Sequence, residues 1–187
     1  QVNTDTPISR TDAGFKCWNI DASPNREWET RDLSDPVLAS LGRQSLPGYL
    51  RFGGSGNDGL PYALDMSDAG SAGNRCVEGS HRCLNRTWTD NLLNFAKTSG
   101  AKLVFGLNIF VCAEGAGAVC KGKQWDPTEA KALRQYMIKT NHTPVGFELG
   151  NEQNTNYSLH VAASNFRILS KLIAELWPDP AVRPKVI

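Results

Sequence analysis

The stretch KLVFGLN, residues 102–108, decides the fold that this sequence predicts. Its residues are almost all apolar, and no polar residue interrupts them between the first and last positions. A run of this kind is typical of a strand in a parallel sheet that is covered on both faces. Parallel strands need crossover connections, which are usually helices, so the stretch predicts a chain of alternating strands and helices.

Short apolar runs on both sides of this stretch predict further strands. Together with residues 102–108, the predicted strands are Lys16–Ile20, Tyr49–Phe52, Val145–Leu149 and the beginning of a fifth at Lys185–Ile187. Strands separated by helices imply right-handed crossovers and a parallel sheet, so the predicted fold class is α/β.

Amphipathic segments between these strands predict helices. Asp35–Pro36 begins the first, with Asp as the cap and Pro in the first turn. Thr87–Asp90 resembles a capping box and begins the second, which Gly100 ends. Asp126–Glu129 begins the third, and Pro178 ends the fourth. One face of the fourth helix carries Leu159, Ala162, Phe166, Leu169, Ile173 and Leu176.

The lengths of the loops indicate how the sheet closes. Residues 53–86 and 109–125 follow strands and are long, whereas the return from helix to strand at 99–101 is short. Long loops after strands are typical of a (β/α)8 TIM barrel, whose active site lies at the C-terminal ends of its strands. By this rule, one rim of the barrel carries Asp21, Arg51, Asn108 and Glu152.

A glycine-rich loop offers a competing interpretation. GSGNDG, residues 54–59, satisfies the GxGxxG pattern of dinucleotide sites and follows a predicted strand. Leu60-Pro61-Tyr62 and a Gly/Ser-rich loop come next instead of a helix, so a pyrophosphate would have no helix N-terminus to bind. We therefore predict no bound nucleotide, and the function inferred below needs no cofactor.

Composition and charge exclude two classes of protein. The 187 residues include 20 Lys and Arg against 19 Asp and Glu, so no basic surface indicates nucleic-acid binding. We see neither a charged-then-apolar leader nor the roughly 18 consecutive apolar residues that a membrane span needs. His81, His142 and His160 fit no metal-ligand spacing, so no metal is predicted.

Five cysteines and three glycosylation sequons favour a secreted or extracellular protein, with lysosome, vacuole and cell wall as alternatives. Cys76 with Cys83, and Cys112 with Cys120, are predicted to form two local disulfides, which leaves Cys17 unpaired. A metal site at CVEGSHRC is less favoured because the CxxC spacing is absent. The predicted acceptors of N-linked sugar are Asn85, Asn141 and Asn156.

The segment VGFELGNEQN, residues 145–154, ends a predicted strand with an amide beside a carboxylate. A glycosidase needs one carboxylic acid that protonates the leaving oxygen and a second carboxylate as nucleophile or base. Glu152 is the candidate acid. Asn151 is suited to hydrogen-bond the sugar hydroxyl next to the anomeric carbon, and that bond strengthens as positive charge develops.

Other interpretations of the charged residues remain open. Glu152 could simply cap the helix that follows. Glu148 lies inside the strand, so a buried and hydrogen-bonded structural role is favoured for it. Asp58 and Glu114 are interpreted as loop acids. Arg51 could bind an acidic sugar or form an ion pair inside the barrel.

The segment FELGNEQN resembles the acid/base motif of the heparanase-like β-glucuronidases, glycoside hydrolase family 79. In family order, KCWNIDASPNREW resembles the first strand and its loop, YLRFGGSGND the second, and KLVFGLN the third. The resemblance implies that residues 14–187 are the N-terminal half of a (β/α)8 barrel, roughly its first four βα units. Residues 1–13 are then an N-terminal segment that could form a strand of an accessory β-domain.

The resemblance also implies roles for individual residues. Glu152 matches the family's proton donor and Asn151 its neighbouring amide, while sugar contacts fall on Asp21, Ser23 and Ser55. Gln153 stands where many members have Pro. The family's nucleophile, a Glu on a late strand, lies outside residues 1–187, so the remainder of the barrel comes from the same chain or a second chain.

The implied function is a retaining glycoside hydrolase that cleaves β-glucuronides or glucuronic-acid-containing glycans. The alternative is a catalytically inactive carbohydrate-binding homologue or a proteolytic fragment.

Overall fold

The computed structural model describes residues 9–23, 31–45, 47–64 and 83–187. Within these ranges, strands and helices alternate along the chain. The predicted α/β class is therefore confirmed.

A five-stranded parallel sheet is the centre of the structure. Its strands are neighbours in the order in which they occur along the chain. They are β1 Lys16–Ile20, β2 Gly48–Phe52, β3 Lys102–Leu107, β4 Gly146–Leu149 and β5 Lys185–Val186. Each predicted strand is confirmed with its bounds shifted by at most one residue. All C-terminal ends lie along one edge of the sheet, because every pairing is parallel.

Four α-helices connect consecutive strands within the described ranges. They are α1 Pro36–Gln44, α2 Arg86–Ser99, α3 Thr128–Lys139 and α4 Leu159–Leu176. The loops after β2 and β3 carry minor strand pairs: Tyr62–Ala63 with Leu84–Asn85, and Val111–Cys112 with Gly115–Ala116. Short 3-10 turns occur at Ala13–Phe15, Asn57–Gly59, Ala118–Cys120 and Gln153–Thr155.

A row of phenylalanines crosses the middle of the sheet. Phe52, Phe105 and Phe147 are register neighbours on β2, β3 and β4, and each is fully buried. Phe52 packs on Trp88 of α2 at 5.1 Å between ring centroids, so this face of the sheet faces the helices. Because side chains alternate along a strand, Arg51 and Glu148 point to the opposite face.

The beginning of α2 differs from the prediction. Asn85, not Thr87, is the N-cap, and its Oδ1 accepts the backbone N–H of Trp88 at 2.8 Å. Asn85 is the last residue of a short strand and has an extended backbone, which places its side-chain amide at the first turn of α2. Thr87 lies inside the helix. Gly100 ends α2 in left-handed conformation, as predicted.

The buried face of α4 also differs from the predicted apolar stripe. Leu159 is 91% exposed and Phe166 39% exposed, although Leu169 and Ile173 are buried as predicted. Asn165 is buried because its Oδ1 accepts hydrogen bonds from the side chain of Gln124 and the backbone of Trp125. With Asn165 buried in these contacts, the neighbouring Phe166 is left partly exposed. Hydrophobic periodicity does not predict a buried asparagine.

The predicted covalent features are partly confirmed. Cys112 and Cys120 form a disulfide, and Cys17 is free and exposed. Cys83 is disulfide-bonded, but Cys76 lies outside the described residues, so their pairing stays a prediction. Residues 1–8 also lie outside the described ranges, and the accessory strand stays a prediction. None of the helices in the described ranges has the length and apolar character to cross a membrane.

Candidate active site

The predicted sugar-contacting residues meet at the C-terminal edge of the sheet. Asp21 follows β1, Ser55 follows β2 and Asn151 follows β4. Asn151 Nδ2 donates to Ser55 Oγ at 3.2 Å, and Asp21 Oδ1 accepts the backbone N–H groups of Ser23 and Gly56 at 3.0 and 3.1 Å. The structure thus brings together residues that are far apart in the sequence.

The glycine-rich loop packs directly against the loop that carries Asp21. A Cβ on Gly54, which has a φ of +140°, would lie 2.4 Å from the Asp21 carboxyl carbon. A Cβ on Gly56 would lie 2.1 Å from the backbone nitrogen of Ser23. Gly54 and Gly56 therefore allow two loops to meet at the rim, which gives these two glycines of GSGNDG a structural role.

Arg51 and Glu148 form an ion pair on the face of the sheet opposite the helices. Arg51 Nε lies 2.9 and 2.7 Å from the two Glu148 oxygens. Nη1 donates to Asn19 Oδ1 and Nη2 to Asn151 Oδ1, both at 3.0 Å. The hydrogen-bonded role predicted for Glu148 is confirmed, although both side chains keep partial exposure.

The guanidinium of Arg51 also orients the Asn151 amide. An amide oxygen can accept from Nη2 only if the NH2 group points the other way, which here is toward Ser55. One N–H of that NH2 group contacts Ser55, and an amide nitrogen carries two. Asn151 therefore presents a second donor at the rim.

Glu152 is exposed at the rim in a left-handed backbone conformation, with φ 53° and ψ 37°. Its carboxylate has no hydrogen-bond partner among the described residues. The capping interpretation is wrong: Glu152 makes no side-chain cap to the 3-10 turn Gln153–Thr155, and α4 is capped by Ser158. The carboxylate is therefore free to contact a ligand.

Asp58 is the residue that sequence reasoning missed. It is 1% exposed, its Oδ1 accepts the backbone N–H of Asn151 at 2.7 Å, and its Oδ2 accepts from Gln153 Nε2. Burial raises the pKa of Asp58 to about 6, against the hydrogen bonds, which lower it. Its position shortly after a predicted strand was a weak indication that Asp58 belongs to the site. No sequence pattern indicates that it is buried. Glu114, by contrast, is an exposed loop acid, as predicted, and pairs with Lys123 at 3.0 Å.

Asn108 does not belong to the site. It is buried at the end of β3, and its Nδ2 donates to the carbonyl of Leu60 at 2.9 Å and to Glu129 Oε2 at 2.7 Å. Asn108 directly follows β3, so it lies at the predicted rim, but its buried side chain fixes the loop after β2 and is not available to a ligand.

The three sequon asparagines are exposed. Asn85 caps α2, Asn141 lies after α3 with a φ of 58°, and Asn156 Nδ2 donates to Gln153 Oε1 at 2.7 Å. Within the described ranges, no three His, Cys, Asp or Glu side chains cluster as metal ligands.

Comparison with known proteins identifies the family. Residues 1–187 match the N-terminal domain of glycosyl hydrolase family 79, and the chain belongs to that family. It is 25% identical over 219 residues to baicalin-β-D-glucuronidase of Scutellaria baicalensis, with 98% of this chain and 41% of that protein covered. The predicted resemblance is confirmed.

Two further relatives have related activities in their names. Heparanase of Gallus gallus is 27% identical over 194 residues, covering 83% of this chain and 36% of that protein. Hyaluronoglucuronidase of Hirudo nipponia is 26% identical over 158 residues, covering 76% and 31%. The chain thus spans at most 41% of the length of these three relatives.

Proposed function

We propose that this chain is the N-terminal half of a (β/α)8 barrel in a retaining β-glucuronidase, with Glu152 as general acid/base. One observation carries the proposal: Glu152 presents a partner-free, exposed carboxylate at the C-terminal edge of a parallel sheet, directly beside an amide that Arg51 orients. Active sites of barrel enzymes lie at this edge. The nucleophile is a Glu outside residues 1–187.

Hydrolysis then proceeds in two steps with Glu152 acting in both. In the first, the nucleophilic carboxylate attacks the anomeric carbon, the glycosidic bond breaks, and Glu152 gives its proton to the leaving oxygen. In the second, Glu152 takes a proton from water, whose oxygen attacks the anomeric carbon and releases glucuronic acid and the free nucleophile. No cofactor takes part.

Asn151 assists through the sugar hydroxyl next to the anomeric carbon. Its second N–H donates to that oxygen, and the contact strengthens as the ring approaches an oxocarbenium ion. Asp21, Ser23 and Ser55 lie along the same edge and are proposed as further sugar contacts.

The substrate class is proposed to be β-glucuronides or glucuronic-acid-containing glycans. The names of the glucuronidase and hyaluronoglucuronidase relatives support it. Disulfides at Cys112–Cys120 and at Cys83 support secretion or delivery to an extracellular or lysosomal compartment, because such bonds persist in oxidising environments.

The test is Glu152→Gln in the complete enzyme, assayed on phenyl β-D-glucuronide. Loss of the proton donor should lower kcat by roughly 10²- to 10⁴-fold, the usual contribution of general acid catalysis. Glu114→Gln is the matched control, since Glu114 is also exposed and lies in a loop after a strand. It should retain wild-type turnover.

Two results would contradict the proposal. Wild-type turnover by Glu152→Gln would remove the assigned acid. Binding of glucuronide without hydrolysis by the unaltered enzyme would favour the inactive carbohydrate-binding alternative.

A further inference from the structure

The turn that carries Glu152 is tied on both sides to one buried carboxylate. Asp58 Oδ1 accepts the N–H of the residue before Glu152, and Oδ2 accepts the side-chain amide of the residue after it. Gln153 Nε2 also donates to the carbonyl of Asn151 at 2.8 Å, and Asn156 Nδ2 donates to Gln153 Oε1. Asn151 and Gln153, one on each side of Glu152, are thus hydrogen-bonded both to Asp58 and to each other.

Glu152 needs such support because its backbone is left-handed. For a residue with a side chain this conformation is sparsely populated and persists only where the surroundings fix it. The Glu152 side chain has no hydrogen bond or ion pair among the described residues, so the neighbouring residues must supply the constraint. Within the described chain, Asp58 is the group that contacts both neighbours.

We propose that Asp58 is a positioning residue that fixes the direction of the Glu152 carboxylate by holding Asn151 and Gln153 on either side of it. The inference rests on the function proposed above, in which Glu152 protonates the leaving oxygen. Asp58 itself is 1% exposed and lies below the turn, so it does not reach the sugar. Its effect is on proton transfer, since a general acid must lie within hydrogen-bond reach of its target.

A substitution that keeps the shape of Asp58 isolates this role. In Asp58→Asn, the amide oxygen can still accept from the backbone of Asn151. The new NH2 group then faces the NH2 group of Gln153, and two donors cannot pair. Gln153→Ala is a second variant, which removes only the contact to Oδ2 and truncates a side chain near the surface.

The readout is the dependence of kcat/KM on the leaving group, measured in the complete enzyme, because kcat/KM reports the glycosylation step and not the later attack of water. Phenyl β-D-glucuronide needs protonation of its leaving oxygen, whereas 2,4-dinitrophenyl β-D-glucuronide leaves without it. A misplaced Glu152 should lower kcat/KM for the phenyl substrate on the order of tenfold or more, and leave kcat/KM for the dinitrophenyl substrate near wild type. Gln153→Ala should show the same selective loss, smaller in size.

Asp126→Asn is the matched control. Asp126 also accepts one backbone N–H and one side-chain donor, both from Thr128 at the start of α3. Its substitution should affect both substrates equally.

The outcomes separate the two proposals. A selective loss on the phenyl substrate in both Asp58→Asn and Gln153→Ala, but not in Asp126→Asn, supports the positioning role. Equal losses on the two substrates, or none, overturn it while Glu152→Gln remains selective. If Glu152→Gln shows no selectivity either, the acid assignment fails and the positioning role fails with it.

Discussion

Each of the three guanidinium nitrogens of Arg51 makes a hydrogen bond in the site. Nε pairs with Glu148, while Nη1 and Nη2 donate to Asn19 and Asn151. A planar group with fixed donors can make three such contacts at once, whereas a lysine ammonium offers a single point of charge. The sequence left an ion pair and sugar binding as equal alternatives for Arg51. It could not decide, because its partner Glu148 is 97 positions away in the chain.

Asp58 gives a residue-scale prediction about pH and stability. Burial raises its pKa from the ordinary 3.8 to about 6, and Asp21 adds to the rise while Arg51 opposes it. Between about pH 4 and about pH 6, the folded protein therefore keeps a proton on Asp58 that the unfolded chain has lost. The contribution to stability is fully present below about pH 4 and is lost as the pH rises through about 6.

The measurement is the free energy of unfolding of the wild type minus that of Asp58→Asn, as a function of pH. This difference should fall between about pH 4 and about pH 6 and stay level above that range. Tyr62 and Tyr157 interact electrostatically with Asp58, and burial is the main cause that raises their pKa values. Both tyrosines therefore stay neutral between about pH 4 and about pH 6. A difference that rises with pH would contradict the assignment.

At the scale of single elements, α2 shows which features of a helix its local sequence predicts and which it does not. Its existence and its end at Gly100 were both predictable, from periodicity and a glycine stop. Its first residue was not, because Asn85 and Thr87 are both good capping residues. The strand that ends at Asn85 decides between them, and that strand forms only by pairing with Tyr62–Ala63.

A pair of substitutions tests the cap of α2. Asn85→Ala removes both the cap and the glycosylation acceptor, whereas Thr87→Ala removes the sequon but keeps the cap. We expect Asn85→Ala to lower the free energy of unfolding by about 1 kcal/mol more than Thr87→Ala does. Chemical denaturation of both variants measures the difference. Equal effects would mean that Asn85 does not stabilise the helix.

At the scale of the whole molecule, the strand order follows from simple rules. Consecutive strands joined by helices are expected to lie side by side and parallel, and the five strands do. The network at the rim was harder to predict. Asn151 contacts Asp58, Arg51 and Ser55, which are 93 to 100 positions away along the chain. The sequence placed most of these residues at one edge, but only the folded loops show which side chains pair.

The proposed barrel implies that catalysis needs the whole enzyme. In the proposed mechanism, Glu152 supplies one of the two carboxylates, and the other lies on a strand outside residues 1–187. Tests of mechanism therefore belong to the complete enzyme, in which both carboxylates face the same sugar.

The central claim is that Glu152 is the acid/base of a retaining β-glucuronidase, and azide rescue of Glu152→Ala tests it most directly. The complete variant enzyme is given 2,4-dinitrophenyl β-D-glucuronide with and without sodium azide, and the product is identified by NMR. Azide needs no general base, so it should attack the glycosyl-enzyme in place of water, raise turnover and give the β-glucuronyl azide. Wild-type turnover without azide, or no azide product at all, would contradict the account.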